Sequence, residues 1–111
     1  MADCVFCKII KKELNSETVF ETENLIAIKD IHPKAPVHLL VIPKKHILSV
    51  HTLTASDEKL LGEMIFTAKE LAEKHGVGKS GYKLLFNVGE DGGQTVPHLH
   101  LHIMGGRQLG E

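Results

Sequence analysis

The sequence has little with which to grip a polyanion, cross a bilayer or build a disulfide scaffold. Thirteen Lys and Arg against fourteen Asp and Glu give a formal charge of −1, too even a balance for the many phosphate contacts of nucleic-acid binding. No apolar run approaches the ~20 residues of a membrane span, and Met1-Ala2-Asp3-Cys4 carries no basic lead before an apolar stretch. The expectation is a soluble cytoplasmic protein that partners neither polymeric nucleic acid nor membrane. Only two cysteines occur, spaced as Cys4-x-x-Cys7, which in a reducing compartment reads as a metal half-site or a redox pair. Tryptophan is absent and tyrosine occurs once, whereas histidine occurs eight times. The chemistry is therefore to be sought among the imidazoles. At 111 residues, 42% hydrophobic and 24% charged, the chain has the size and composition of one globular domain over residues 1–111.

Hydrophobic periodicity orders the chain. Residues 6–14, with Phe6, Ile9 and Ile10 at helical spacing, read as a short helix. Residues 18–21, 25–29 and 37–42 are β-rich runs separated by turn signals, among them Ile31-His32-Pro33-Lys34-Ala35-Pro36. Leu60, Leu61, Met64, Ile65, Ala68, Leu71 and Ala72 recur at the helical period, between a capping-box candidate at Thr54-Ala55-Ser56-Asp57 and Gly76. Residues 82–88 and 98–104 read as two further strands around the Gly-rich connection 89–95. No linker, repeat or low-complexity stretch interrupts them. The fold class is α+β, a five-stranded antiparallel sheet with two helices.

The decisive segment is Pro97-His98-Leu99-His100-Leu101-His102-Ile103-Met104. In a strand, alternate residues share a face, so the three histidines form one row and Leu99, Leu101 and Ile103 the other. Neighbours in the row stand roughly 6.5–7 Å apart along the strand, close enough to converge on one ligand. Two chemistries suit such a row. His-x-His is a pair of zinc ligands that would hold a hydroxide nucleophile, or a neutral imidazole attacks phosphorus itself. Gly89-x-x-Gly92-Gly93-Gln94-Thr95 favours the second, because glycines let backbone N–H groups approach a phosphate and Thr95 adds a hydroxyl.

The pattern His98-x-His100-x-His102 followed by two apolar residues resembles the histidine-triad (HIT) superfamily. The ending Gly105-Gly106-Arg107-Gln108 is similar to its nucleoside phosphoramidase branch, called Hint. Phe6-x-Lys8-Ile9-Ile10, Asp30-Ile31-x-Pro33-x-Ala35-Pro36-x-His38, Val41-Ile42-Pro43-Lys44-Lys45-His46 and Asn87-Val88-Gly89-x-Asp91-Gly92-Gly93-Gln94 extend the resemblance over most of the chain. Departures fall at Pro97, Thr95 and the tail Leu109-Gly110-Glu111.

The resemblance implies that His100 is a nucleophile forming a covalent nucleotidyl-imidazole, with His102 and His38 orienting it and relaying protons. It implies that Asn87, Gly93, Gln94, Thr95 and His102 hold the α-phosphate, and that Asp30 takes both ribose hydroxyls. Phe6, Ile9, Ile28, Ile31 and Leu40 would line a purine slot for an AMP or GMP moiety. Some relatives complete Cys-x-x-Cys with two histidines; the matching set here is Cys4, Cys7, His46 and His98, a closed tetrahedral site for structural zinc, with no cofactor needed for catalysis. If strand 82–88 lies at the sheet edge, pairing with its symmetry mate makes a two-fold homodimer with a continuous sheet and the main helix in the interface. The expected activity is hydrolysis of purine nucleoside phosphoramidates; a dinucleoside polyphosphate hydrolase and a nonenzymatic nucleotide-binding scaffold are the alternatives. Lys44, Lys45, Arg107, His32, His51 and His75 are read as solvated, His75 at a helix end where a cation is favoured.

Overall fold

The computed structural model describes residues 4–111; the Met1–Asp3 lead lies outside them. Five antiparallel strands, β1 (Thr18–Glu21), β2 (Leu25–Lys29), β3 (Val37–Pro43), β4 (Tyr82–Leu85) and β5 (Leu101–Gly105), form one sheet in the order β1-β2-β3-β5-β4. The helices are α1 (Val5–Ile10) and α2 (Glu58–Lys74), and short 3₁₀ turns at Val50–Thr52 and Ala55–Asp57 lead into α2.

Each face of the central strands packs against a helix, and alternation sorts their side chains between the two partners. Leu25, Ala27, Leu39, Val41, Leu101 and Ile103 pack against Met64, Ala68, Leu71 and Ala72 of α2. Ile26, Ile28, Leu40 and Ile42 pack against Cys4, Phe6 and Ile9 of the α1 segment. Helix α2 is long enough to cover its face. The six residues of α1 span only ~9 Å at 1.5 Å per residue, so the rest of the second face stays open. His38, alternating with Leu39, and His102, paired with Leu40, stand on it.

Three boundaries differ from the sequence reading by three residues or more. Helix α1 ends at Ile10 rather than Leu14, because Lys12 turns left-handed (φ 65°) and the Glu13 N–H returns to the Lys8 carbonyl at 2.8 Å. This is a Schellman-type ending made without glycine. Strand β5 starts at Leu101, not His98. Beyond Val41, its partner on β3, comes Pro43, which has no N–H to give and whose carbonyl accepts from the His98 ring. Strand β4 stops at Leu85, which pairs with His102, so residues 86–88 extend past the ladder. The capping box stands where the sequence puts it, the Thr54 N–H donating to Asp57 Oδ2 at 3.0 Å. Lys44 and Lys45 are paired rather than merely solvated, with Glu21 and Asp57 at 2.8 and 2.9 Å.

Candidate active site and metal-binding cluster

The open face of the sheet holds a chain of imidazoles whose protons the hydrogen bonds assign. The His100 Nδ1–H donates to the His98 carbonyl at 2.7 Å, which leaves His100 Nε2 as a bare lone pair. The Lys34 N–H donates to His38 Nδ1 at 3.0 Å, so the His38 proton sits on Nε2. That proton is shared between His102 Nδ1 at 2.9 Å and Asp30 Oδ2 at 3.3 Å. His102 Nδ1 is thereby an acceptor, and its own proton is on Nε2. The rings of His100 and His102 are 5.0 Å apart, and Phe6 stands edge-on to His100 at 5.0 Å.

Burial lowers the pKa of His38 and His100 below the ordinary histidine value, and burial, then His100 and His38, push His102 down to about 4. All three are neutral near pH 7. Neutral imidazoles are what the assigned pattern needs, since a proton on His100 Nε2 would remove its lone pair.

A cavity of about 520 Å³ opens beside these rings, within the range of small-molecule sites. Its walls include apolar Phe6, Ile9, Ile28 and Leu40 together with Asp30, Asn87, Gly93, Thr95, His100 and His102. Ile31 also lines it, with 82% of its surface exposed. Asp30 Oδ1 accepts the His32 N–H at 2.8 Å, which fixes the carboxylate in a turn ahead of β3. Asn87 Nδ2 donates to the Gly92 carbonyl at 2.7 Å, and Gly93 takes a positive φ of 79° in the loop so held.

Gln94 stands apart from its sequence reading. Its Nε2 donates to the Leu48 and Val96 carbonyls at 2.7 and 3.0 Å, and its Oε1 accepts the Gly89 N–H at 3.0 Å. The side-chain amide is committed to holding the loop, and the residue lines a neighbouring surface groove instead of the cavity. Residues the sequence reading passed over also reach the wall. Asn15, Ser16 and Val96 line it, and His32 and Lys34 stand beside Asp30. The expectation that the first helix runs to Leu14 hides Asn15 and Ser16; with the helix ending at Ile10, both line the cavity.

The second constellation lies at the N-terminal end of the triad. Cys4, Cys7, His46 and His98 bring one donor atom each within 4.8 Å of one another. The separations are 3.3 Å for Cys4 Sγ to His98 Nδ1, 3.2 Å for Cys7 Sγ to His46 Nδ1, and 3.1 Å between the two Nδ1 atoms. A tetrahedron with Zn–N near 2.0 Å and Zn–S near 2.3 Å has donor separations of ~3.3–3.8 Å, so the set fits such an ion with little movement. His98 Nε2–H donates to the Pro43 carbonyl and the Cys7 N–H donates to Cys4 Sγ, the outer bonds that orient ligands of a metal. The Cys7 thiol pKa is pushed up by burial and by Cys4. Asp30, His38 and His102 also cluster, but there the His38 Nε2 proton lies among the donor atoms. His51 is exposed, and His75 caps α2 with its ring on the Leu71 carbonyl at 2.9 Å.

Comparison with known proteins agrees with this geometry. The family described as scavenger mRNA decapping enzyme C-term binding matches residues 3–110. A purine nucleoside phosphoramidase of Escherichia coli (strain K12) is 42% identical over 97% of this chain and 91% of its own length. Among solved structures, a HIT family hydrolase from Clostridium thermocellum superposes with TM-score 0.97 at 48% identity, covering 100% of this chain and 96% of that one. One from Legionella pneumophila gives 0.94 at 48% identity, covering 96% and 95%. A bare Nε2 on the middle of three alternating histidines, on a fold shared over the whole chain, has one conclusion: this protein belongs to the histidine-triad superfamily.

Proposed function

We propose that this HIT-superfamily hydrolase cleaves purine nucleoside phosphoramidates of the adenosine 5′-monophosphoramidate type at the bond between the α-phosphorus and the amine nitrogen. The observation that carries the reading is the bare Nε2 of His100 beside His102, whose Nε2 holds a proton, at the end of a nucleotide-sized cavity. The activity of the Escherichia coli relative supports the substrate class.

His100 Nε2 attacks phosphorus, forming an N–P bond as the bond to the amine breaks. The His98 carbonyl stabilises the imidazolium that results, since it already accepts the Nδ1–H. Negative charge building on the phosphoryl oxygens is met by His102 Nε2–H, the Thr95 hydroxyl and donors near Gly93 and Asn87. An amine leaves poorly as an anion, so the leaving nitrogen takes up one proton drawn from solvent, and His102, hydrogen-bonded to His38, is placed to relay it. Water then cleaves the His100–phosphorus bond and returns a proton, which balances the two half-reactions. Asp30 accepts the ribose hydroxyls, while Phe6, Ile9, Ile28 and Leu40 enclose the purine.

Cys4, Cys7, His46 and His98 hold a structural zinc in this reading. Two sulfurs and two nitrogens complete a tetrahedron and leave no position for a reacting water. The ion supplies cross-linking between the α1 segment and the start of the triad, and no step passes through it. The chain pairs as a homodimer through the β4 edge, where Leu84 and Leu85 are exposed, with Ile65 and Phe66 of α2.

The test is trapping. Adenosine phosphoramidate is mixed with the protein, quenched rapidly and analysed by mass spectrometry, with His100→Ala as control. An adenylyl group on His100 that decays at the turnover rate is expected. Turnover that persists in His100→Ala overturns the mechanism.

A further inference from the structure

The Gly105-Gly106-Arg107-Gln108 ending has no part in the chemistry above, yet its path is closely constrained. A Cβ on Gly105 would lie 3.0 Å from the Val77 side chain, and one on Gly106, whose φ is +98°, would lie 2.8 Å from Pro36. The backbone leaves β5 along a route that suits glycine and carries Arg107 back over the turn before His38. There its Nη2–H donates to the Lys34 carbonyl at 2.8 Å.

Lys34 is held from both sides. Its carbonyl accepts from Arg107, and its N–H donates to His38 Nδ1 at 3.0 Å. Few backbone donors are available to fix this turn otherwise. Pro33 and Pro36 have no N–H, and the His32 N–H is already on Asp30. A guanidinium donor makes a stronger bond to a carbonyl than a neutral one does.

We propose that Arg107 is a positioning residue for the reaction. By fixing Lys34 it keeps an N–H on His38 Nδ1, which keeps the His38 proton on Nε2, which in turn keeps the Nε2–H of His102 turned toward the substrate. The inference rests on the phosphoramidate reading of the same site. Arg107 touches no reacting atom. Removing it frees the Lys34 peptide to turn, so that the His38 ring samples its other tautomer and His102 Nδ1 loses its donor. The purine slot is left intact.

The experiment compares the full chain with Arg107→Ala and Arg107→Lys. Imidazole tautomers of His38 and His102 are read by long-range proton–nitrogen correlation on protein with labelled histidine, in the absence of substrate, and kcat and KM are measured on adenosine phosphoramidate. Arg107→Ala is expected to mix the His38 tautomers and to lower kcat about tenfold while KM moves less than about twofold. Guanidinium ion added to Arg107→Ala restores part of the rate, and Arg107→Lys, with its single point charge, retains only part of it. Wild-type tautomers in Arg107→Ala overturn the proposal, whether or not the variant melts lower. If the wild type turned over no phosphoramidate, the functional reading would fail, while the tautomer spectra would still decide the Arg107 linkage.

Discussion

His98 Nε2–H donates to the Pro43 carbonyl at 2.8 Å, which fastens this ring to the last residue of β3 and turns its bare Nδ1 toward Cys4, Cys7 and His46. The bond selects the tautomer that a cation requires.

Protein purified without chelator should therefore carry about one zinc per chain by metal analysis, with Cys7→Ser losing it. Each ~1 kcal/mol lost shifts Tm by ~4–8 °C in a domain of this size, so a fall of more than ~10 °C is expected on Cys7→Ser or chelation. His100 should still be adenylylated. A metal-free protein with full stability would contradict the assignment.

Asp30 is fixed by the His32 N–H at one oxygen and faces His38 with the other. A 2′-deoxy substrate leaves it short of a donor, at a cost of about 1–3 kcal/mol, or roughly 5- to 150-fold in kcat/KM. Equal efficiency on ribo and deoxyribo substrates would remove Asp30 from sugar recognition.

Stability should fall as the solution is acidified. The pKa of His38 and His100 lies below 6.5 in the fold and that of His102 near 4, because burial disfavours the cation. Above pH 6.5 both folded and unfolded rings are neutral and pH has little effect through them. Between 6.5 and about 4 the unfolded chain binds protons that the folded chain refuses, so unfolding becomes easier. Asp30 opposes this shift at His102 while His100, His38 and Lys34 reinforce it. Urea titrations from pH 7 to 4.5 should show the decline, and His102→Gln should flatten it. An unchanged slope in that variant would mean that His102 is not the group responsible.

Strand β4 is one edge of the sheet, and half-exposed Leu84 and Leu85 leave it open to pairing. Phe66, 69% exposed, adds apolar surface on α2. Sedimentation at micromolar concentration should give a dimer, and Phe66→Lys should weaken it by about tenfold or more. A monomeric wild type would show that this edge is not the interface.

Much of this was legible from residue spacing, because alternation and the helical period report which side chains share a face. Leu39 and Val41 against His38 and Leu40 are sorted by alternation alone, and Met64, Ala68 and Leu71 by the helical repeat. What was not legible depended on pairing at a distance. The end of α1 at a left-handed lysine carries no glycine to announce it. The late start of β5 follows from Pro43, 58 residues earlier in the chain than Leu101. Gln94 looks like a phosphate donor in its motif, and only the Leu48 carbonyl, brought across from the segment after β3, shows where its amide is spent.

The alternation in β3 also limits how the gene can change. His38, Leu40 and Ile42 face the side of the sheet that carries the site and α1, while Leu39 and Val41 look into the core under α2, with Leu101 and Ile103 beside them. Inserting or deleting a single codon within the strand would exchange the two sets, sending an imidazole under α2 and leucines into the cavity. Codon changes in pairs would restore the facing but move His38 from its place opposite Met104. Length variation in this protein should thus be confined to the connections, and the central strands should tolerate substitution but never a change of frame by one residue.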